Sequence, residues 1–197
     1  MPIVNRVADL QADIAAELIR RNIAVHAFNQ RDIAGIFAMI RTLGALVGAT
    51  EKAEALAVSL EDRLDEVRER AAQLPRRPRV YFEEWDEPMI SGLKWVSELT
   101  EIAGGIEVFP QLAVNKNAKD RIVTADAVIA AAPDIIIGSW CGKKFVPDKV
   151  KARPGFAAIP AVRDGALHEI KAALIAAFDY LAELLTRLAQ SPTMRTN

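Results

Sequence analysis

The sequence predicts an α/β protein: one complete C-terminal lobe with a mainly parallel sheet, a long helix before it, and the end of another α/β unit before that. Three observations lead there. From residue 79 onward, short apolar runs alternate with helical stretches, the order that builds a parallel sheet covered by helices. From Thr50 to about Gln73 the chain is rich in Ala, Leu, Glu and Arg, and the tract LPRRPR (74–79) closes it. Ahead of both stand one amphipathic helix and one short alternating run, and a lone strand cannot hide its edges or its faces.

Taken in order, residues 9–21 place Leu10, Ile14, Leu18 and Ile19 on one helical face, and Asn22 marks a stop. IAVHAF (23–28) reads as a short strand. Residues 31–47 repeat Ile33, Ile36, Phe37, Ile40 and Leu43 at helical spacing. Thr50 is expected as an N-cap, with Glu51 and Glu54 in the first turn where the macrodipole favours acids. The helix that follows would run roughly 35 Å at about 1.5 Å per residue, long enough for a strut between domains. Beyond it, RVYFEEW (79–85) is a strand, 92–103 a helix stopped by Gly104-Gly105, and Thr124 caps a helix through Ala132. Pro133-Asp134 turns into strand 135–138, 147–153 forms a short helix, and 159–162 with 167–170 supply a last strand region. A helix is expected over 172–189, with the tail 191–197 frayed. The organisation is thus residues 1–49 as the end of a first lobe, 50–75 as connecting helix, 76–190 as the second lobe, and 191–197 as tail.

Composition narrows the function. The chain has 197 residues, 51% hydrophobic and 26% charged, with a net charge of −1; that is ordinary globular composition and lacks the basic face a nucleic-acid partner requires. A single cysteine excludes an internal disulfide. No stretch is long and apolar enough to span a membrane. Arg6, Asp9 and Asp13 interrupt the N-terminus before a secretory signal could form, so the chain as written is expected to stay in the cytoplasm.

In an open α/β sheet, ligands bind outside the carboxyl ends of the strands. Two segments fall there: Glu83-Glu84-Trp85-Asp86-Glu87, and Ser139-Trp140-Cys141-Gly142-Lys143. Each sets a tryptophan beside polar groups, either as the wall of a ligand cleft or as a cap on the core. Trp95, in helical register with Leu99 and Ile102, belongs to the core. A thiol nucleophile at Cys141 needs a base, and the two histidines, His26 and His168, lie in predicted strands as structural residues. The carboxylates of 83–87 are an acid–base pair or an acidic rim. One Cys and two distant His do not make a zinc site, and no P-loop or G-x-G-x-x-G is present. No intrinsic cofactor is expected.

Three runs carry a resemblance: VYFEEWDEPMISGLKWVSELTEIAGGIEVFP, KDRIVTADAVIAAAPDIIIGSWCGKKF and ARPGFAAIPAVRDGALHEI. Together they resemble the C-terminal lobe of cobalamin-type periplasmic substrate-binding proteins of ABC importers, within the superfamily that also takes iron-siderophores and haem. The segment 9–49 resembles the end of the N-terminal lobe of such proteins and the start of the helices joining the lobes. The resemblance implies two α/β lobes joined by a long helix, a periplasmic or membrane-associated location, and an ABC permease as partner. It implies cobalamin or another corrinoid as ligand, with Glu84, Trp85, Asp86, Ser139, Trp140 and Lys143 on the ligand edge. It also implies acidic docking residues for the permease, Asp126 on the second lobe and Asp13 on the first. Relative to that family, most of the N-terminal lobe is missing and the residues after HEIK run straight into helix. A truncated module is therefore expected to bind cobalamin weakly and to self-associate as a homo-oligomer. A remnant scaffold without transport activity, or a small enzyme using Cys141, are the alternatives.

Overall fold

The computed structural model describes residues 3–171. The chain divides into two compact units, residues 1–30 and 31–197. In the first, helix α1 (Ile3–Arg20) is followed by residues 23–30 in no regular structure. The strand expected at 23–28 is therefore absent. A strand exists by pairing, and none of the described residues pairs with this run; Ile23 and Val25 are exposed.

In the second unit, α2 (Ile33–Leu46) begins at Asp32, whose carboxylate accepts the Gly35 N–H at 2.8 Å. It packs along α3 (Thr50–Ala71), and Arg41 reaches across to Glu54 and Glu61. The second unit therefore takes in α2, which the sequence reading grouped with the first lobe. The continuous α3 is as expected, except that its N-cap is Ala49, with no capping side chain.

Next come β1 (Arg79–Asp86), β2 (Met89–Ser91), α4 (Lys94–Ile102), β3 (Ile106–Glu107), α5 (Pro110–Ala113), α6 (Ala125–Ala131), β4 (Ile135–Gly138), α7 (Pro147–Lys151), α8 (Pro160–Arg163) and β5 (Leu167–Glu169). The sheet order is β2-β1-β4-β5, with β3 also on β1. The strand pairings of this sheet are parallel except the β1–β2 hairpin, and an isolated antiparallel bridge joins Ile90 to Ile122. Residues 159–162, expected as strand, are instead mostly α8. Pro160 has no N–H to give a ladder, but its fixed φ suits the first turn of a helix. The expected helix 172–189 and the tail 191–197 lie outside the described residues.

Alternation along the strands separates two cores. Val80, Phe82, Ile135 and Ile137 face α2, α3 and α4, together with Phe37, Leu64, Val67 and Leu99. Tyr81, Ile136 and Leu167 face the other way, onto Val128, Phe145, Val150 and Phe156. Trp95 lies partly buried against the first core. The central strands are apolar on both sides, as a sheet covered on both faces requires.

Candidate functional site at the carboxyl edge of the sheet

Parallel register brings the three chemistry-bearing segments to one level. Glu83 pairs with Gly138, and Gly138 with Glu169, so the chain leaves β1, β4 and β5 on the same edge. A β-bulge between Glu83 and Trp85 turns successive side chains of EEWD toward different partners.

Glu83 is fully buried and makes four bonds. Arg153 donates to both carboxylate oxygens, at 2.6 and 2.9 Å, the Trp140 indole N–H donates at 2.9 Å, and the Tyr81 hydroxyl at 3.2 Å. Burial, then the neighbouring Glu83 charge, push the Tyr81 phenol well above its ordinary pKa. Glu84 turns to Arg121, whose guanidinium is almost wholly buried and donates at 2.6 Å; the same guanidinium reaches the Ser91 carbonyl. Asp86 accepts from Lys143 at 2.5 Å, and the Lys143 ammonium stands 3.9 Å from the centre of the Trp85 ring. Burial is the largest single influence on Asp86 and raises its pKa. The Lys143 hydrogen bond and charge, with smaller help from the backbone and Lys149, together hold the carboxyl below its ordinary value.

The structure thus brings Trp85, Asp86 and Lys143 together, and Lys143 with Trp140. Three expectations need correcting. Trp140 is not an open wall: it is 4% exposed, edge-on to Phe145, because the buried carboxylate of Glu83 draws its N–H inward. Ser139 is buried as well, and its hydroxyl has no partner. Glu84 is engaged by Arg121 and does not project as a free rim group. Asp126 is exposed in the first turn of α6, where the Thr124 hydroxyl accepts the Ala127 N–H at 3.2 Å. Asp13 is exposed on α1, in the other unit. Cys141 is exposed, and burial lowers the His168 pKa. Arg121 and Arg153 were missed from sequence; each lies far along the chain from the carboxylate it serves, and only three acids crowded into four residues hinted that buried cations would be needed.

Just outside this network lies a concavity of about 660 Å³, lined by Trp140, Gly142, Lys143, Lys144, Glu169, Ile170 and Lys171. That volume is in the range of small-molecule sites. Three ammonium groups and one carboxylate line it, and the buried Trp140 and Ile170 contribute only small accessible edges. Among the described residues no three His, Cys, Asp or Glu side chains gather as a metal site, and no helix is long and apolar enough to cross a membrane.

A doubly covered parallel sheet with a concavity at its carboxyl edge is the form of an α/β ligand-binding lobe. The chain belongs to the periplasmic binding protein family, which it matches over residues 4–174. No curated protein matches the sequence. Among solved structures, a periplasmic haem-binding protein from Pseudomonas aeruginosa is similar at a TM-score of 0.77 and 18% identity, over 91% of this chain and 68% of the other. An ABC transporter substrate-binding protein from Listeria monocytogenes is similar at 0.73 and 19%, over 96% and 74%. The periplasmic vitamin B12 binding protein of Vibrio cholerae is similar at 0.68 and 17%, over 91% and 71%. At these identities the likeness is one of fold.

Proposed function

We propose that the chain is the substrate-binding component of an ABC importer for a large, flat metal chelate of the haem, iron-siderophore or B12 type. The resemblance of the EEWDEP and GSWCGKK segments makes a corrinoid such as cobalamin one candidate within that range. The observation that carries the reading is the concavity at the carboxyl edge, where Lys143, Lys144 and Lys171 surround the small accessible edges of Trp140 and Ile170. Such a surface offers the aliphatic stems of the lysines with their ammonium groups at the margin, which suits a ring with polar substituents. Binding is favoured over catalysis because the acids of 83–86 are each taken by a cation and so are poor proton carriers. In this reading Trp85, Asp86, Trp140 and Lys143 stand nearest the ligand, and Glu84 and Ser139 support them from behind. The exposed carboxylates of Asp126 and Asp13 serve as docking points for basic residues of a permease.

The test is a tryptophan-fluorescence titration with cyanocobalamin and with haemin. Saturable quenching by either, absent in a Trp140→Leu variant, is the expected outcome. No saturable change with either compound up to about 100 μM, which corresponds to roughly 5.5 kcal/mol of binding, would overturn the reading.

A further inference from the structure

The three lysines around the concavity are not equivalent. Lys143 is tied to Asp86 at 2.5 Å and lies over Trp85. Lys144 and Lys171 are exposed, and among the described residues neither has a carboxylate partner. The one carboxylate in the lining, Glu169, accepts the Phe145 N–H at 3.1 Å. Lys149, on α7, is close enough to help lower the Asp86 pKa. The acids that could have neutralised this margin are already committed: Glu83 to Arg153, Glu84 to Arg121, Asp86 to Lys143. Two ammonium groups therefore border the recess without an ion pair among the described residues, and Glu169 is the one acid in the lining, in a chain whose net charge is −1.

We infer that this pocket selects a ligand bearing peripheral carboxylates, which Lys144 and Lys171 receive, over a chelate of similar size whose side arms are neutral amides. The inference rests on the proposed binding function and goes further by naming the ligand's charge class. Charge-assisted hydrogen bonds from an ammonium to a carboxylate are stronger than those to a neutral acceptor. An amide arm would leave both lysines without an ionic partner. A flat ring with two acidic side arms would lie against the lysine stems and the small accessible edges of Trp140 and Ile170, with its anionic edge at the ammonium groups.

The experiment compares haemin, which carries two carboxylates, with haemin dimethyl ester, in which the same ring has them masked, and with cyanocobalamin. Dissociation constants are measured by absorbance titration on the full chain at low and at high salt. Haemin is expected to bind at least tenfold tighter than its ester, with the advantage shrinking as salt is raised. A Lys144→Gln, Lys171→Gln double variant is expected to weaken haemin binding roughly 100-fold, tenfold per lysine, and to leave the ester unchanged. The corresponding double Arg variant should keep the preference, which separates loss of charge from loss of fold. Equal affinity for acid and ester, or tighter binding of cyanocobalamin than of haemin, overturns the inference and leaves the binding function standing. Binding of none of the three overturns both.

Discussion

Replacing Arg153 by Met should destabilise the second unit more than any comparable change of a partly exposed residue. Glu83 is fully buried, and Arg153, 16% exposed, supplies two of its four hydrogen bonds and, among the described residues, its one ion pair. The variant would leave a buried carboxylate held by the Trp140 N–H and the Tyr81 hydroxyl alone. Removing one partner of a buried pair costs about 3–5 kcal/mol. Because Arg153 has some access to water, the lower end, about 3 kcal/mol, is expected. For a chain of this length that corresponds to a fall in Tm of about 6–12 °C. Urea and thermal unfolding followed by circular dichroism would measure it, with tryptophan emission reporting on the Trp140 indole. A Glu83→Gln, Arg153→Met double variant should lose clearly less than the sum of the two single changes, since the pair acts as a unit. A single variant within about 0.5 kcal/mol of the parent, which is the scatter of neutral surface changes, would refute the reasoning, as would strict additivity.

Burial raises the Glu107 carboxyl from 4.5 to about 7, although it accepts the Phe109 N–H. The folded-state pKa lies above the unfolded one, so this group favours folding most below pH 4.5 and that contribution is lost as pH rises toward 7. Glu107→Gln should remove about 3 kcal/mol of pH dependence across that window, and unchanged urea midpoints relative to the parent from pH 5 to 8 would contradict it. A Cβ at Gly138 would fall within the ring of Phe145, so Gly138→Ala should cost about 1–3 kcal/mol by overpacking, read as a shift in denaturation midpoint. Asp86→Asn breaks only a partly exposed pair and should cost less than about 1 kcal/mol; a larger loss of stability would mean that Lys143 has a structural role beyond the pair. Asp126→Lys should weaken capture by a cognate permease in detergent while leaving Tm nearly unchanged, and undiminished capture would dispose of the docking role.

Much of the fold was legible because it rests on local chemistry. The α3 helix announces itself by its composition and its proline stop, and β1 and β4 by apolar runs that end at polar groups. The errors were non-local. Alternation at 23–28 looks like a strand, but pairing decides, and the residues described contain no partner for it. The short β2 and β3 went unread because each exists only by leaning on β1. At 159–162 apolar residues suggested a strand, whereas Pro160 sets the start of a helix. At the candidate site, Trp85, Asp86 and Lys143 were foreseen from strand-end position, and their meeting follows from parallel register. That Trp140 turns inward was not legible, because its direction is set by a carboxylate 57 positions earlier. Arg121 and Arg153 were hidden for the same reason.

The ionic ties at the end of β1 also bear on the order in which the protein assembles. They join it to residues 37, 57 and 70 positions further along the chain. Loops of that length close at an entropic cost, and such distant contacts form late in folding. Glu83 cannot meet its cation until β4 and α7 are in place, so the carboxyl edge of the sheet is expected to be the last part of this unit to take its final form. Interactions absent from the folding transition state act on the rate of unfolding. A chain lacking Arg153 is therefore expected to fold at nearly the parent rate and to unfold faster, a split that stopped-flow chevrons would display.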